Sequence, residues 1–464
     1  MKKSQIITLI FVCLAIFILV YSIHFNYAFP YHLDEWNHIS YTNSFPSTPH
    51  LEAGFHFFLK GLSYFTSLVL IYKFLPAIWI VLSALALFFT VYKKSNKFLI
   101  ALFSIIFLAS IKSNLNILGF WFFTPLTFSI PFIFLYIYFF SEGIQKQNKK
   151  YILTSLAIML LLLPIHAISV LFSIPFLIIY SLINYKYIIK EWKFFSTFLL
   201  IPLIGLIFYK YTLNLSLTNI TLNIFQNIQF KKGWGIIERN VTFTEMYSWI
   251  GYLFALLGAF LLILKKKKEY YLYLLWPLTT IILILIFKIT GISPLSPYQR
   301  NMYYFILSMP LLSALGLYYL IIFIKNNTKN ALLRKTLIVI LIIAVLILTF
   351  KSYYQAPENT IPYEFINEDN YQAISFLSNY PQGIVLAEDI ISIAINPISK
   401  QPALIKMNDY QKRYDAILFY NESGCEYKNN FISKYNVTYV ISNSQIDCDW
   451  KEIYNKNNYI YQTN

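Results

Sequence analysis

The sequence predicts a polytopic α-helical membrane protein of about eleven spans, followed by a small C-terminal α/β domain on the far side of the membrane. Three observations predict it. Of the 464 residues, 58% are hydrophobic and only 12% are charged, about half the ~25% charge of a soluble globular chain. Lys and Arg gather in short runs between apolar segments, as the positive-inside rule requires of inward loops. From Gln355 onward the composition turns polar, and thirteen of the 21 acidic residues lie beyond residue 353.

Taken in order, Lys2 and Lys3 precede an apolar run from Ile6 to Ile23 with no small-residue cleavage site. That pattern reads as a retained signal anchor with its N-terminus in the cytoplasm. A first outer loop, 26–72, follows, in which residues 53–70 read as a helix lying in the membrane interface. Further spans are expected at about 74–92, 98–111, 117–140, 151–163, 167–184, 194–212, 246–264, 270–289, 301–324 and 336–353. Their inner connections carry Lys93 and Lys94, Lys146 to Lys150, Lys186 to Lys193, Lys265 to Lys268, and Lys325 to Lys335. The segment 151–163 is short of the ~20 residues of a full crossing, so a broken pair near Pro164 and two full spans are equally open readings. A membrane domain over 1–353 and a soluble domain over 354–464 result. In the latter, Asn370 to Asn379 reads as a helix, and Gly383–Ala387 and Val437–Ile441 read as strands.

The net charge of +16 reads as loop charge and attraction to anionic headgroups, not as the basic stripe of a nucleic-acid binder. No G-x-x-x-x-G-K-[ST] loop is present, which argues against ATP-driven transport. Of three cysteines, Cys13 falls in the first span; Cys425 and Cys448 fall in the tail, able to pair if it faces an oxidising compartment.

Chemistry concentrates in Tyr31-His-Leu-Asp-Glu-Trp-Asn-His38, where Asp34 is the only aspartate before Asp369. An ionisable pair beside a helix bundle points to function. Adjacent helical residues point ~100° apart, so Asp34 and Glu35 are expected to differ in task, with Asp34 the preferred general base. Asp34 and His38 share a helix face and are the expected ligands if a divalent ion (Mn or Mg) is present, with His32 or His56 as a third; no such ion is required by this reading. All six histidines (His24, His32, His38, His50, His56 and His166) fall on or near the outer side, where a histidine needs no catalytic role to be found. Arg300, before the span at 301–324, is placed to grip a phosphate at headgroup height, and Arg239, Lys231 and Lys232 are weaker candidates. Glu52, Asn114, Asn116 and Glu238 complete the polar set on that side.

An acidic pair in the first outer loop, many spans, a late outer-loop arginine and a soluble tail that includes Ser433 to Val440 together resemble the GT-C superfamily of membrane glycosyltransferases. Within it the chain looks like the protein mannosyltransferase and aminoarabinose-transferase type. The resemblance implies a polyprenyl-phosphate-linked sugar donor, inversion at the anomeric centre, and a lipid, glycan or protein acceptor on the outer face of the cell membrane. The carboxylate matching Asp34 would deprotonate the acceptor, with Glu35 beside it. Arg300, Arg239, His38, His56 and His166 would serve the donor phosphate. The tail is small and lacks the W-W-D-type motif of oligosaccharyltransferases, which counts against transfer of a whole glycan to asparagine.

Two other readings are kept. A transporter or flippase of lipid-linked saccharides would place its polar residues at the bilayer midplane, often in inverted repeats, and no repeat is seen here. A polysaccharide polymerase or ligase would be expected to have a large arginine-rich outer loop, whereas loop 213–245 is short and mildly basic.

Overall fold

The fold comes from a computed structural model, which describes residues 1–46, 52–113, 119–213, 229–233, 243–351, 364–388, 390–406, 409–422 and 424–463. The first elements are α1 (Lys3–Tyr21), α2 (Leu33–Ser44), α3 (Ala53–Ser63), α4 (Leu68–Tyr72), α5 (Leu75–Ser95), α6 (Phe98–Ala109), α7 (Pro125–Gln145) and α8 (Lys149–His166). There follow α9 (Ile168–Leu171), α10 (Ile174–Ile183), α11 (Leu200–Leu213), β1 (Gln229–Lys231), α12 (Trp249–Leu264) and α13 (Tyr271–Thr290). The strand β2 (Ile292–Pro294), α14 (Tyr298–Asn327) and α15 (Ala331–Phe350) complete the apolar part. Among the described residues seven helices are long and apolar enough to cross a membrane, and four further apolar stretches are shorter. In hydrocarbon only a helix satisfies every backbone group within one segment, so apolar runs of this length fold this way.

Local chemistry sets the helix ends. Pro125 opens α7 behind the Thr124–Thr127 capping box. Gly291, at φ 71°, ends α13 in the left-handed conformation that glycine adopts without cost. The short strand β1 pairs antiparallel with β2, Phe230 opposite Ser293. Where α12 crosses α14, a Cβ on Gly258 would lie 2.1 Å from the Leu312 carbonyl oxygen, and one on Gly316 equally close to that of Phe254. Two backbones approach this closely only where side chains are absent. Inside the bundle, Lys94 Nζ on α5 meets Glu142 Oε1 on α7 at 2.6 Å and Gln145 Oε1 at 2.7 Å.

One sequence expectation is located and one is corrected. The break near Pro164 falls at Ala167, because α8 continues through the proline to His166. Proline deprives only one carbonyl of its partner, and so near a C-terminus the last turn survives. The expected interfacial helix over 53–70 is two helices, because the chain leaves helical geometry at Ser67 (ψ 127°) before α4. On α3, Phe55, His56 and Leu59 are buried while Phe57 is exposed.

The chain divides into two compact units, Met1–Ser22 with Leu75–Pro357, and Ile23–Phe74 with Glu358–Asn464. In contact terms the first outer loop thus belongs with the tail. The tail contributes α16 (Glu368–Phe376), β3 (Ile384–Leu386), α17 (Ser392–Ser399), α18 (Tyr410–Asn421), α19 (Cys425–Tyr435), β4 (Val437–Ser442), β5 (Lys451–Lys456) and β6 (Asn458–Gln462). The sheet order is β3-β4-β6-β5, with β3 parallel to β4 and the rest antiparallel. Strand β4 is central and almost continuously buried, as expected of a strand covered on both faces. Ala373, Ile374 and Leu377 are fully buried along the α16 face the sequence marks out. Leu386, Phe419, Phe431, Val440 and Tyr461 form a core beneath α18 and α19. Cys425 and Cys448 are joined in a disulfide. In the same unit α2 packs against α17, where Asn43 Nδ2 donates to the Asn396 carbonyl at 3.1 Å.

Candidate active site and metal ligands

The site begins at the N-terminus of α2, where four backbone N–H groups need partners from outside the helix. His32 is the N-cap: its ring Nδ1 accepts the Asp34 backbone N–H at 3.1 Å. Glu35 answers from inside the helix. Its Oε2 accepts the N–H groups of Tyr31 at 2.8 Å and His32 at 3.1 Å, closing a capping box. Trp36 Nε1 donates to the Pro30 carbonyl at 3.0 Å and pins the entering chain. Glu35 is buried at 1% exposure, whereas the Asp34 side chain is 31% exposed, with Oδ2 3.7 Å from His32 Nδ1. Two adjacent carboxylates therefore sit in different environments, one bound into the backbone and one presented outward. Tyr41 lies within electrostatic reach of Asp34 and Glu52; burial pushes its hydroxyl up, and the charges of Glu52 and Asp34 add to that.

One turn beyond Asp34, His38 turns toward α3. Its Nδ1 lies 3.1 Å from Nε2 of His56 and 4.0 Å from Oε2 of Glu52, the residue that starts α3. One ligand atom from each of His38, Glu52 and His56 lies within 4.8 Å of the others, a set able to hold a metal ion. The group that converges here is His38, Glu52 and His56; Asp34, expected from sequence to share any ion with His38, is not one of the three. The reason is tertiary. His38 is turned toward the neighbouring helix, which supplies two donors one helical turn apart.

In the other unit, Arg300 occupies the first turn of α14, behind Pro297. It is half-buried, and its charge acts on His166 and Tyr304. His166 Nδ1 lies 2.7 Å from Ser169 Oγ, which lies 3.1 Å from the Tyr304 hydroxyl. The loop leading into α14 is held by Ser293, Ser296 and Asn301, whose amide donates to Ser293 Oγ at 3.0 Å. Lys232 joins this end of the unit through its backbone N–H, which donates to the Gly291 carbonyl at 2.9 Å.

The sequence candidates thus fall into two groups: Asp34, Glu35, His38 and His56 in one unit, Arg300 and His166 in the other. Arg239, Glu238, Asn114, Asn116 and His50 lie outside the described residues. Ser169 and Tyr304 were not legible, because each sits inside an apolar run without a neighbouring charge.

No protein-family model matches the chain, and no curated protein matches it. Solved structures do. The apo form of the Archaeoglobus fulgidus oligosaccharyltransferase superposes with a TM-score of 0.60 at 14% identity, covering 95% of this chain and 70% of that one. The chain has the fold of an archaeal oligosaccharyltransferase. The same neighbour tethered to an acceptor peptide containing the NVT sequon gives 0.58 at 13% identity, over 95% and 69% of the two chains. Archaeal oligosaccharyltransferase AglB from A. fulgidus, with an inhibitory peptide and a dolichol-phosphate, gives 0.59 at 13%, over the same shares. The membrane-helical fold with a soluble tail expected from the sequence agrees with these neighbours, which are oligosaccharyltransferases. Membrane helices constrain shape far more tightly than they constrain sequence, which is why fold survives at this identity.

Proposed function

We propose that this chain is an inverting membrane glycosyltransferase that moves a sugar from a polyprenyl-phosphate-linked donor to an acceptor on the extracytoplasmic side. The observation that carries the reading is the division of labour at α2: Glu35 is consumed by the capping box, and Asp34 remains half-exposed beside it. In this reading Asp34 accepts the proton of the acceptor nucleophile as the sugar–phosphate bond breaks. A departing lipid phosphate needs a fixed positive charge; the candidate for it is Arg300, in the first turn of α14 of the other unit, where the helix N-terminus adds its own partial charge. His166, Ser169 and Tyr304 form a hydrogen-bonded chain that ends one turn further along α14.

Two further features support it. An apolar cavity of about 660 Å³ opens between α12, α13 and α14, lined among others by Tyr252, Leu275, Leu278, Phe305 and Met309, a surface suited to an isoprenoid chain. The solved neighbours bind dolichol-phosphate and peptides, which favours a lipid-phosphate donor and a peptide among the acceptors considered. The disulfide in the tail favours an oxidising compartment for that unit, and with it a cytoplasmic N-terminus and eleven crossings.

The test is label transfer from a radiolabelled polyprenyl-phosphate sugar pool in membranes holding wild type or Asp34→Asn. Transfer that depends on the protein and collapses in the variant at equal expression supports the reading. Undiminished transfer by Asp34→Asn rejects Asp34 as the base, and movement of lipid-linked sugar across vesicles without transfer would favour a transporter.

A further inference from the structure

Between α2 and α3, two imidazoles and a carboxylate converge away from the proposed base. His56 is fully buried and His38 nearly so, while the Glu52 side chain keeps 26% exposure. Glu52 and His56 are four residues apart at the start of α3, so both face α2.

The distances fit a metal site, although 3.1 Å between His38 Nδ1 and His56 Nε2 is also the length of a hydrogen bond between the two rings. Zn–N bonds of about 2.0–2.1 Å at the tetrahedral angle put two ligating nitrogens about 3.3 Å apart. His38 Nδ1 and His56 Nε2 are 3.1 Å apart, close to that edge. The corresponding nitrogen–oxygen edge is about 3.4 Å, and Glu52 Oε2 stands 4.0 Å from His38 Nδ1, a gap that a small rotation of one carboxylate closes. Imidazole with carboxylate is a donor set for zinc, whereas Mg and Ca prefer oxygen throughout. Of the three side chains, the Glu52 carboxylate is the most exposed.

We infer that His38, Glu52 and His56 form a zinc site that staples α2 to α3, with Asp34 one turn away and not a ligand. The staple acts on architecture. It fixes the helix that carries Asp34 to a helix whose other face presents Phe57, and the chain beyond it exposes Tyr64 and Phe65. The site stands whether or not the transferase reading does, because bound metal is measured without activity.

The experiment is multi-element mass spectrometry on the full chain in detergent, after incubation with zinc and removal of free metal. Wild type and Asp34→Asn are each expected to hold one zinc per chain; His56→Ala and His38→Ala are expected to hold none above background. Because an alanine variant could misfold, wild type and Glu52→Gln are also titrated with cobalt(II), with visible absorption reporting a tetrahedral site. Strong tetrahedral bands in wild type that weaken at least tenfold in Glu52→Gln support the proposal. Absence of zinc from wild type, retention of it by both histidine variants, or its loss from Asp34→Asn would each overturn the assignment. Iron in place of zinc would overturn the choice of metal.

Discussion

Glu35 folds back on His32: its Oε2 accepts the His32 backbone N–H at 3.1 Å, while the His32 ring accepts the backbone N–H of Asp34 at 3.1 Å. The two residues close the first turn of α2 between them, and the carboxylate left over is Asp34. This reciprocal cap makes the two acidic residues separable by mutation.

Glu35→Gln keeps a side chain that a capping box accepts, so transfer activity and thermal stability are expected to stay near wild type. Glu35→Ala removes the cap and is expected to cost about 0.5–2 kcal/mol, read as a lower melting temperature in detergent. Asp34→Asn is expected to keep the melting temperature and lose about 10²–10⁴ in transfer rate, the usual contribution of a general base. Equal rate losses in Asp34→Asn and Glu35→Gln would remove the distinction.

Arg300 tests the phosphate side. Arg300→Lys keeps the charge but not the planar fork of donors, and Arg300→Gln loses both. Charged hydrogen bonds contribute about 1.5–3 kcal/mol, so donor KM is expected to rise about tenfold or more for Gln and less for Lys. Steady-state kinetics with the lipid-linked donor check this, and an unchanged KM for Gln would place the phosphate elsewhere.

The crossing of α12 and α14 predicts a stability effect far from any chemistry. A methyl on Gly258 would collide with backbone, not with a flexible side chain, so the helices must move apart. Gly258→Ala is expected to destabilise by about 1–3 kcal/mol, the range for overpacking. Gly61→Ala is the control, since nothing lies within 4 Å of its Cβ position.

How much of this the sequence showed follows from what constrained each part. The apolar helices were legible because hydrocarbon leaves the backbone no alternative, and each expected span region that the structure describes holds one. That Asp34 and Glu35 point different ways was legible from helical geometry, and the cap at His32 shows that Glu35 is the one bound into the backbone. Other parts depended on contacts distant in sequence. His38 reaches His56 and Glu52 only because α2 packs on α3, a pairing that no local pattern announces. The hairpin of β5 and β6 was missed because its strands are polar and its turn is Asn457, held at φ 56°, without the glycine that marks most tight turns.

The disulfide between Cys425 and Cys448 spans 23 residues of sequence. A loop of that size constrains the unfolded tail by about 3 kcal/mol in the chain-entropy account. Cys425→Ser with Cys448→Ser is expected to lower the unfolding midpoint of the tail unit while leaving the helical bundle's transition in place. Two resolved thermal transitions, with only one moving, would be the supporting result; a shift of both would show that the units unfold together.

Acid should loosen the same unit through Asp415. The Tyr435 hydroxyl donates to its carboxylate, and Lys434 at 3.2 Å and Gln411 at 2.8 Å add to it; Tyr435 first, then Lys434 and Gln411, hold the carboxyl below its ordinary value. A carboxyl depressed on folding contributes stability that is fully present above its unfolded value of about 3.9 and is lost as pH falls through the lower folded value. The wild-type tail is therefore expected to keep this contribution at pH 5 to 7 and to shed it below about pH 4. Tyr435→Phe removes the strongest donor, so it should be less stable than wild type at neutral pH, with the difference closing in acid. Unfolding midpoints in urea at pH 7 and pH 3 measure both. A difference that stayed constant across that range would mean that Tyr435 stabilises by packing on Phe431, whose ring centroid is 4.8 Å away, and not through the charge of Asp415.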